Sequence, residues 1–410
     1  MQRSHYAPAR FIVFMLILSS FCVLLAACKP VNPPPTAQTA QREPMAVIVA
    51  LSGKVHLTNA ADQNGAARPF QVLFPGNLLQ LSPNAKADIV CFQERILSLA
   101  GPVDQEINDQ SCASGAPLPA NIAQLVKPDA GRILLLEGSL ALEEQAREKE
   151  TDYGNLPIIL SPRNTSLLDL KPTVQWVAVE GAIEYQFSLS GLAAFDDLAL
   201  GTEKVTCTPT PDATGSRVCT IPWPDSWTLE PGQRYFLTIN ALTGIAAPLR
   251  PSTASALRTL TAEEVQAVQT EETGIQALAV DTTTQTTLLV GLYAQHELYA
   301  EAIPAYEEVL TTQPAPILYL ALGDLYRAVD LQRYAFNVYQ QALDLLGQAK
   351  DDLAVRAASE FGMGQVEYSR GQFAAAEPYF QRAVEIYVQT DTMRELKAAQ
   401  EAYEKARQHR

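Results

Sequence analysis

LYLALGDLYRAVDLQRYAFNVYQQAL, Leu318–Leu343, decides how the second half of this chain folds. Its landmarks are Tyr319, Leu322-Gly323, Tyr326, Ala335, Tyr339 and Ala342. Upstream, LYAQHELYAEAIPAYEEVLTTQP (Leu292–Pro314) places Tyr293, Tyr299, Ala302, Tyr306 and Pro314 at matching spacings. Downstream, FGMGQVEYSRGQFAAAEPYFQRAV (Phe361–Val384) does so with Met363-Gly364, Gly371, Phe373, Ala376, Phe380 and Ala383. The alanines Ala302, Ala335 and Ala376 lie 33 and then 41 residues apart, the extra length coming from LGQAKDDL, Leu346–Leu353. Such a repeat puts a small residue where two helices cross and large aromatics in the gaps beside it. A single helix pair cannot bury its apolar face, so several must stack.

These landmarks resemble the tetratricopeptide (TPR) repeat, in three units over residues 283–390. The third unit departs once, with Glu367 where the family has an aromatic and Tyr368 following it. Thr261-x-x-Glu264 is a capping box opening a helix that carries Val265, Val268, Ile275 and Leu278. That connecting helix over 262–282 and a polar helix over 391–410 are expected to cap the stack. The resemblance implies a concave groove for a protein or peptide, lined by Leu320, Asp324 and Arg327 in the second unit and Phe361, Gln365 and Tyr368 in the third. Each trio has i, i+4, i+7 spacing and so one helical face. The competing reading packs Leu320 and Phe361 between repeats. Leu320 and Asp324 stand where the family's carboxylate clamp has Lys and Asn, which disfavours an acidic peptide C-terminus as partner.

Two β-rich modules precede the helices. In the first, over 46–142, VIVALSGKVHLT (Val47–Thr58) leads to a Pro75-Gly76-Asn77 turn, then LLQL, ADIVCF and ILSLAG; ILLLEG (Ile133–Gly138) is placed to close the sheet. The order L-x-G-x-V, G-x-L-L, A-x-I-x-C-F, I-L-S-L resembles the FecR-like extracytoplasmic module, with Gln93-Glu94-Arg95 replacing its Asp-Gly-Ser turn. Residues 143–156 are charged, without apolar periodicity, and read as a linker or a short exposed helix. In the second module, over 157–260, Val174 and Trp176 alternate, Glu180-Gly181 turns, and Tyr185, Phe187 and Leu189 alternate again. After a Pro231-Gly232 turn, Tyr235, Leu237, Ile239 and Ala241 share a face. This resembles a fibronectin type III or immunoglobulin-like sandwich. Trp176 reads as core. Trp223 and Trp227, in IPWPDSWTL, read either as edge packing or as a contact for glycans or partners.

The N-terminus sets the compartment. Arg3 and Arg10 precede the apolar run Phe11–Leu25, too short for a comfortable span, and Leu25-Ala26-Ala27-Cys28 follows. The last four residues resemble the bacterial lipobox, which implies that residues 1–27 are a signal peptide and that Cys28 is lipidated, holding the chain on a membrane surface. KPVNPPPTAQTAQREP, within 28–45, reads as an extended tether. The chain is expected in the bacterial cell envelope, extracytoplasmic, on the cell surface or a periplasmic face. Cys91, Cys112, Cys207 and Cys219 then meet oxidising conditions. Three pairings exist, and the sequence-local one, Cys91–Cys112 with Cys207–Cys219, keeps each bond inside one module. No close C-x2-C pair favours a zinc site.

The formal charge of −15 over 410 residues repels phosphate backbones, so nucleic acid is not an expected partner. His56, His296 and His409 are far apart, and Gly362-Met363-Gly364 lacks both the third glycine and the preceding strand of a phosphate loop. No metal, cofactor or catalysis is expected. The fold class is two all-β modules followed by an all-α solenoid, and the leading function is a membrane-anchored interaction scaffold. The alternatives are an envelope sensor acting through the first module and a glycan-binding adhesion protein acting through the second.

Overall fold

The computed structural model describes residues 44–58, 64–69, 71–118, 155–192, 197–212, 215–242, 250–347, 352–390 and 392–409. The signal, the tether, Cys28, the run Ile133–Gly138 and nearly all of the linker lie outside the described residues. The layout is β-rich first and helical afterwards.

The first β region holds β1 (Ala46–Ser52), β2 (Val55–Thr58), β3 (Asn64–Ala66), β4 (Val72–Leu73), β5 (Leu78–Leu81), β6 (Lys86–Cys91), β7 (Arg95–Ala100), β8 (Val103–Glu106), the short α1 (Asp109–Ala113) and β9 (Ala116–Pro117). Two sheets form, in the orders β4-β1-β6-β7-β9 and β3-β2-β5-β8. Gly53 turns β1 into β2 at φ +75°, and a Cβ there would come within 2.8 Å of the Ala85 Cα. Cys91 bonds to Cys112, tying β6 to α1 across a Cα separation of 5.8 Å.

Residues 46–50 of β1 are buried without a break, although a half-exposed strand would alternate. Both faces are covered: Ala46 and Ile48 point into the core of this region, while Val47 and Val49 join an apolar cluster that contains the helices. The near-continuous apolar run thus records a strand sandwiched between its own partner sheet and a neighbouring layer.

The second β region comprises β10 (Ile159–Ser161), β11 (Thr165–Leu167), β12 (Val174–Val177), β13 (Glu184–Leu192), β14 (Asp197–Val205), β15 (Thr210–Pro211), β16 (Arg217–Ile221), β17 (Arg234–Leu242), β18 (Arg250–Pro251) and β19 (Ser255–Thr259). Its sheets run β10-β12-β16-β15 and β11-β19-β17-β13-β14, with β18 beside β17. Tyr235, Leu237, Ile239 and Ala241 are buried at alternate positions of β17, as the pattern predicts. Trp176 is fully buried, edge-on to Tyr185 and Phe187 with ring centroids 5.1 and 5.0 Å away. The Cys207–Cys219 bond forms here.

The helices are α2 (Ala262–Gln276), α3 (Thr282–Gln295), α4 (Tyr299–Thr312), α5 (Pro316–Ala328), α6 (Gln332–Leu346), α7 (Leu353–Ser369), α8 (Phe373–Thr390) and α9 (Met393–His409). Each packs on its successor, and α5 also meets α7. The Thr261–Glu264 capping box forms in both directions, at 3.2 and 2.8 Å. Glycine permits the close crossings. A Cβ on Gly323 or Gly362 would fall 2.3 or 2.6 Å from the Tyr339 ring, and one on Gly364 would fall 2.6 Å from Phe380. Gly362-Met363-Gly364 therefore lies inside α7 as a packing element. No helix among the described residues is long and apolar enough to cross a membrane.

Candidate functional site

The six expected groove residues sit on α5 and α7. Leu320, Asp324, Arg327, Phe361, Gln365 and Tyr368 are all buried, the most accessible being Arg327 at 7%. The expectation of an open groove lined by these side chains is corrected accordingly. Leu320 belongs to the cluster that joins the helices to both β regions, and Phe361 and Tyr368 to a second cluster with α8 and α9. The Tyr339 hydroxyl donates to Asp324 Oδ1 at 2.7 Å, turning that carboxylate toward α6. The Phe361 ring lies 5.6 Å from Phe380, and Tyr368 lies 5.1 Å from Phe373 and 6.1 Å from His409. Around them, Glu360 pairs with Arg382 at 2.8 Å and Glu367 with Arg370 at 3.1 Å.

Trp223 and Trp227 are each 4% exposed and belong to the core of the second β region. Their rings meet edge-on at 5.5 Å, and the Trp223 indole donates to the Trp227 carbonyl at 3.3 Å. Packing takes both rings, so the contact-platform reading is corrected too.

The helix-to-helix turns form a polar seam with the β regions. Arg163, 3% exposed, follows β10 and enters this seam. Its Nε donates to the Val329 carbonyl at 2.7 Å, Nη2 to the Asp330 carbonyl at 3.0 Å and Nη1 to the Ile159 carbonyl at 3.1 Å. Thr165 Oγ1 accepts from the amides of Tyr299 and Ala300 at 2.9 and 3.3 Å, anchoring β11 to the first turn of α4. Asp88 of β6 does the same for α3, its Oδ2 accepting from the Asp281 amide at 3.1 Å and the Thr284 hydroxyl at 3.0 Å. The Tyr334 hydroxyl donates to Asp212, and that of Tyr326 to Glu307, within a crevice of about 250 Å³.

Burial acts on the carboxylates of this seam. Desolvation pushes Glu301 up to about 7 from 4.5, with the Asp169 and Glu272 charges adding to it. Its Oε2 has no hydrogen-bond partner among the described residues. Desolvation, and then the neighbouring Asp88, raises Asp281. Desolvation also raises Glu307, against the lowering effect of its bond from Tyr326. Among the described residues no group of His, Cys, Asp and Glu could hold a metal ion.

Sequence reasoning missed Arg163, Thr165 and Asp88. Each acts through partners more than 130 positions away. The only local trace was the unexpected second apolar face of β1.

No family model matches this chain, and no curated protein matches it. Among solved structures, it is similar at 10% identity to a β-1,2-glucanase from Parabacteroides distasonis, over 80% of this chain and 50% of the glucanase, with a TM-score of 0.19. The chain thus spans half the length of that enzyme, and a score of that size carries no inference about fold or activity.

Proposed function

We propose that the chain is a membrane-anchored extracytoplasmic lipoprotein whose helical half is a TPR-type scaffold for a protein or peptide partner. The observation that carries this reading is the glycine–aromatic packing of successive helices, Gly323 and Gly362 against Tyr339 and Gly364 against Phe380. It gives the sequence repeat a physical cause. The first β region is read as FecR-like and the second as a fibronectin III or Ig-like sandwich, in agreement with a two-sheet layout in each. The two disulfides suit an oxidising compartment.

The six positions on α5 and α7 are buried, so capture falls to the exposed faces of the helices, where Leu345, Val388 and Met393 stand out. The test is crosslinked capture from the native envelope, comparing the whole chain with one ending at Val280. The reading expects a protein partner lost with the helices. A partner retained by the shorter chain, or polysaccharide captured by both, moves function to the β regions. Separately, Cys28→Ser is expected to release the protein from the membrane fraction; unchanged membrane association removes the anchor from the account.

A further inference from the structure

Ser166 of β11 pairs in register with Arg258 of β19, and Arg258 stands directly opposite Arg234 of β17. Residues paired across a sheet share a face. Their neighbours Leu257 and Tyr235 are buried in the sandwich core, so the Ser166–Arg258–Arg234 row lies on the opposite face. That face floors an open crevice of about 750 Å³, walled on the other side by Glu297 and by Arg327 and Asp330 at the end of α5.

Three arginines, Arg234, Arg258 and Arg327, and two acids, Glu297 and Asp330, line the crevice. Arg258 Nη1 is held by both oxygens of Glu264, at 2.9 and 3.0 Å, and Asp330 is engaged by Arg163 at 3.5 Å. Among the described residues Arg234 has no hydrogen-bond or ion-pair partner, and it faces another arginine across the strand, a like-charge pairing tempered by the Glu264 carboxylate on Arg258. Arg327, buried and with partners of its own, adds a third guanidinium to the wall. In a chain of formal charge −15, three arginines against two carboxylates make the lining a local excess of basic groups. At the closed end of the row the Ser166 hydroxyl, in a residue 1% exposed, has no partner among the described residues. Buried polar groups are rarely left so.

We propose that this crevice binds an oxyanion, a carboxylate or a phosphate group, with Arg234 as its main contact. A guanidinium fork matches either group in bidentate geometry. The bound charge relieves the facing arginine pair, and Arg258 and Arg327 supply the surrounding field. The site shares Arg327 with the groove positions expected of the scaffold, but its main contact, Arg234, lies in the second β region.

The test is titration of the full chain, labelled with ¹⁵N-arginine, with inorganic phosphate and separately with glucuronate, following the arginine Nε–H resonances. The proposal expects one probe or both to give a saturable shift. Arg234→Gln weakens it by about tenfold or more, and Arg234→Lys weakens it less. Arg68→Gln, which removes an exposed arginine elsewhere, leaves it unchanged. Saturation by phosphate alone or by glucuronate alone names the source. Absence of a saturable shift with either probe overturns the proposal, as does equal weakening by Arg68→Gln and Arg234→Gln. Melting curves matching the parent qualify each variant. If Arg234→Gln fails that check, Arg234→Lys carries the comparison, and unweakened binding by it then counts against the site.

Discussion

Replacing Glu301 with Gln should change how stability depends on pH, with a sign and size that follow from its surroundings. The carboxyl lies at the first turn of α4, desolvated, near Asp169 and Glu272, with Oε2 unpartnered among the described residues. Its folded value of about 7 exceeds the ordinary 4.5. Between those values the folded protein keeps a proton that the unfolded chain has released, so stability falls as pH rises. The contribution is fully present below about 4.5 and is lost as pH climbs through about 7. The shift corresponds to an order of 3 kcal/mol, an upper figure for this group. Urea unfolding followed by far-UV circular dichroism at a series of pH values reads it out. Glutamine carries no charge at any pH, so the stability of the variant relative to the parent should climb by up to about 3 kcal/mol from pH 4.5 to 8. A constant difference between the two proteins across that range would refute the reasoning, whatever its absolute size. A constant offset reflects only the packing of the amide.

Gly362→Ala puts a methyl 2.6 Å from the Tyr339 ring and should cost about 1–3 kcal/mol through overpacking, measured by the same unfolding assay; a neutral result would mean that the α6–α7 crossing is looser than described. Phe361→Ala empties a fully buried site beside Phe380 and should cost about 3–5 kcal/mol, so lost helicity and lost capture are expected together. Arg163→Ala removes donors from the carbonyls of Ile159, Val329 and Asp330, leaving Val329 only the weaker bond from Asn164 Nδ2 at 3.3 Å, and should cost about 2 kcal/mol. Limited proteolysis should then cut between the second β region and the helices sooner than in the parent, and an unchanged digestion pattern would show that the seam does not depend on this residue.

Local signals were readable where local physics dominates. The Pro75-Gly76 and Pro231-Gly232 turns, the alternation from Tyr235 to Ala241, the Thr261–Glu264 box and the glycines at the helix crossings all act within a few residues or one helix pair. The two cysteine pairs followed from keeping each bond inside one module. Burial of Leu320, Phe361, Trp223 and Trp227 was not readable in the same way. An apolar side chain on one face of a helix or in a loop has the same pattern whether solvent or another layer lies above it. The seam shows the same limit from the polar side: Arg163 follows a proline in a plain loop, and only the distant turn between α5 and α6 gives it partners.

The central claim is that the helical half captures a protein partner at the membrane surface. Its most direct test is a photocrosslinking phenylalanine placed at Val388, an exposed apolar residue of α8, in the full chain, in cells, with a matched placement at Ile183, an exposed apolar residue of the second β region. A discrete protein adduct is predicted from position 388 and none of the same mass from position 183. No adduct from 388 in a chain of normal helicity, or the same adduct from both positions, would contradict it.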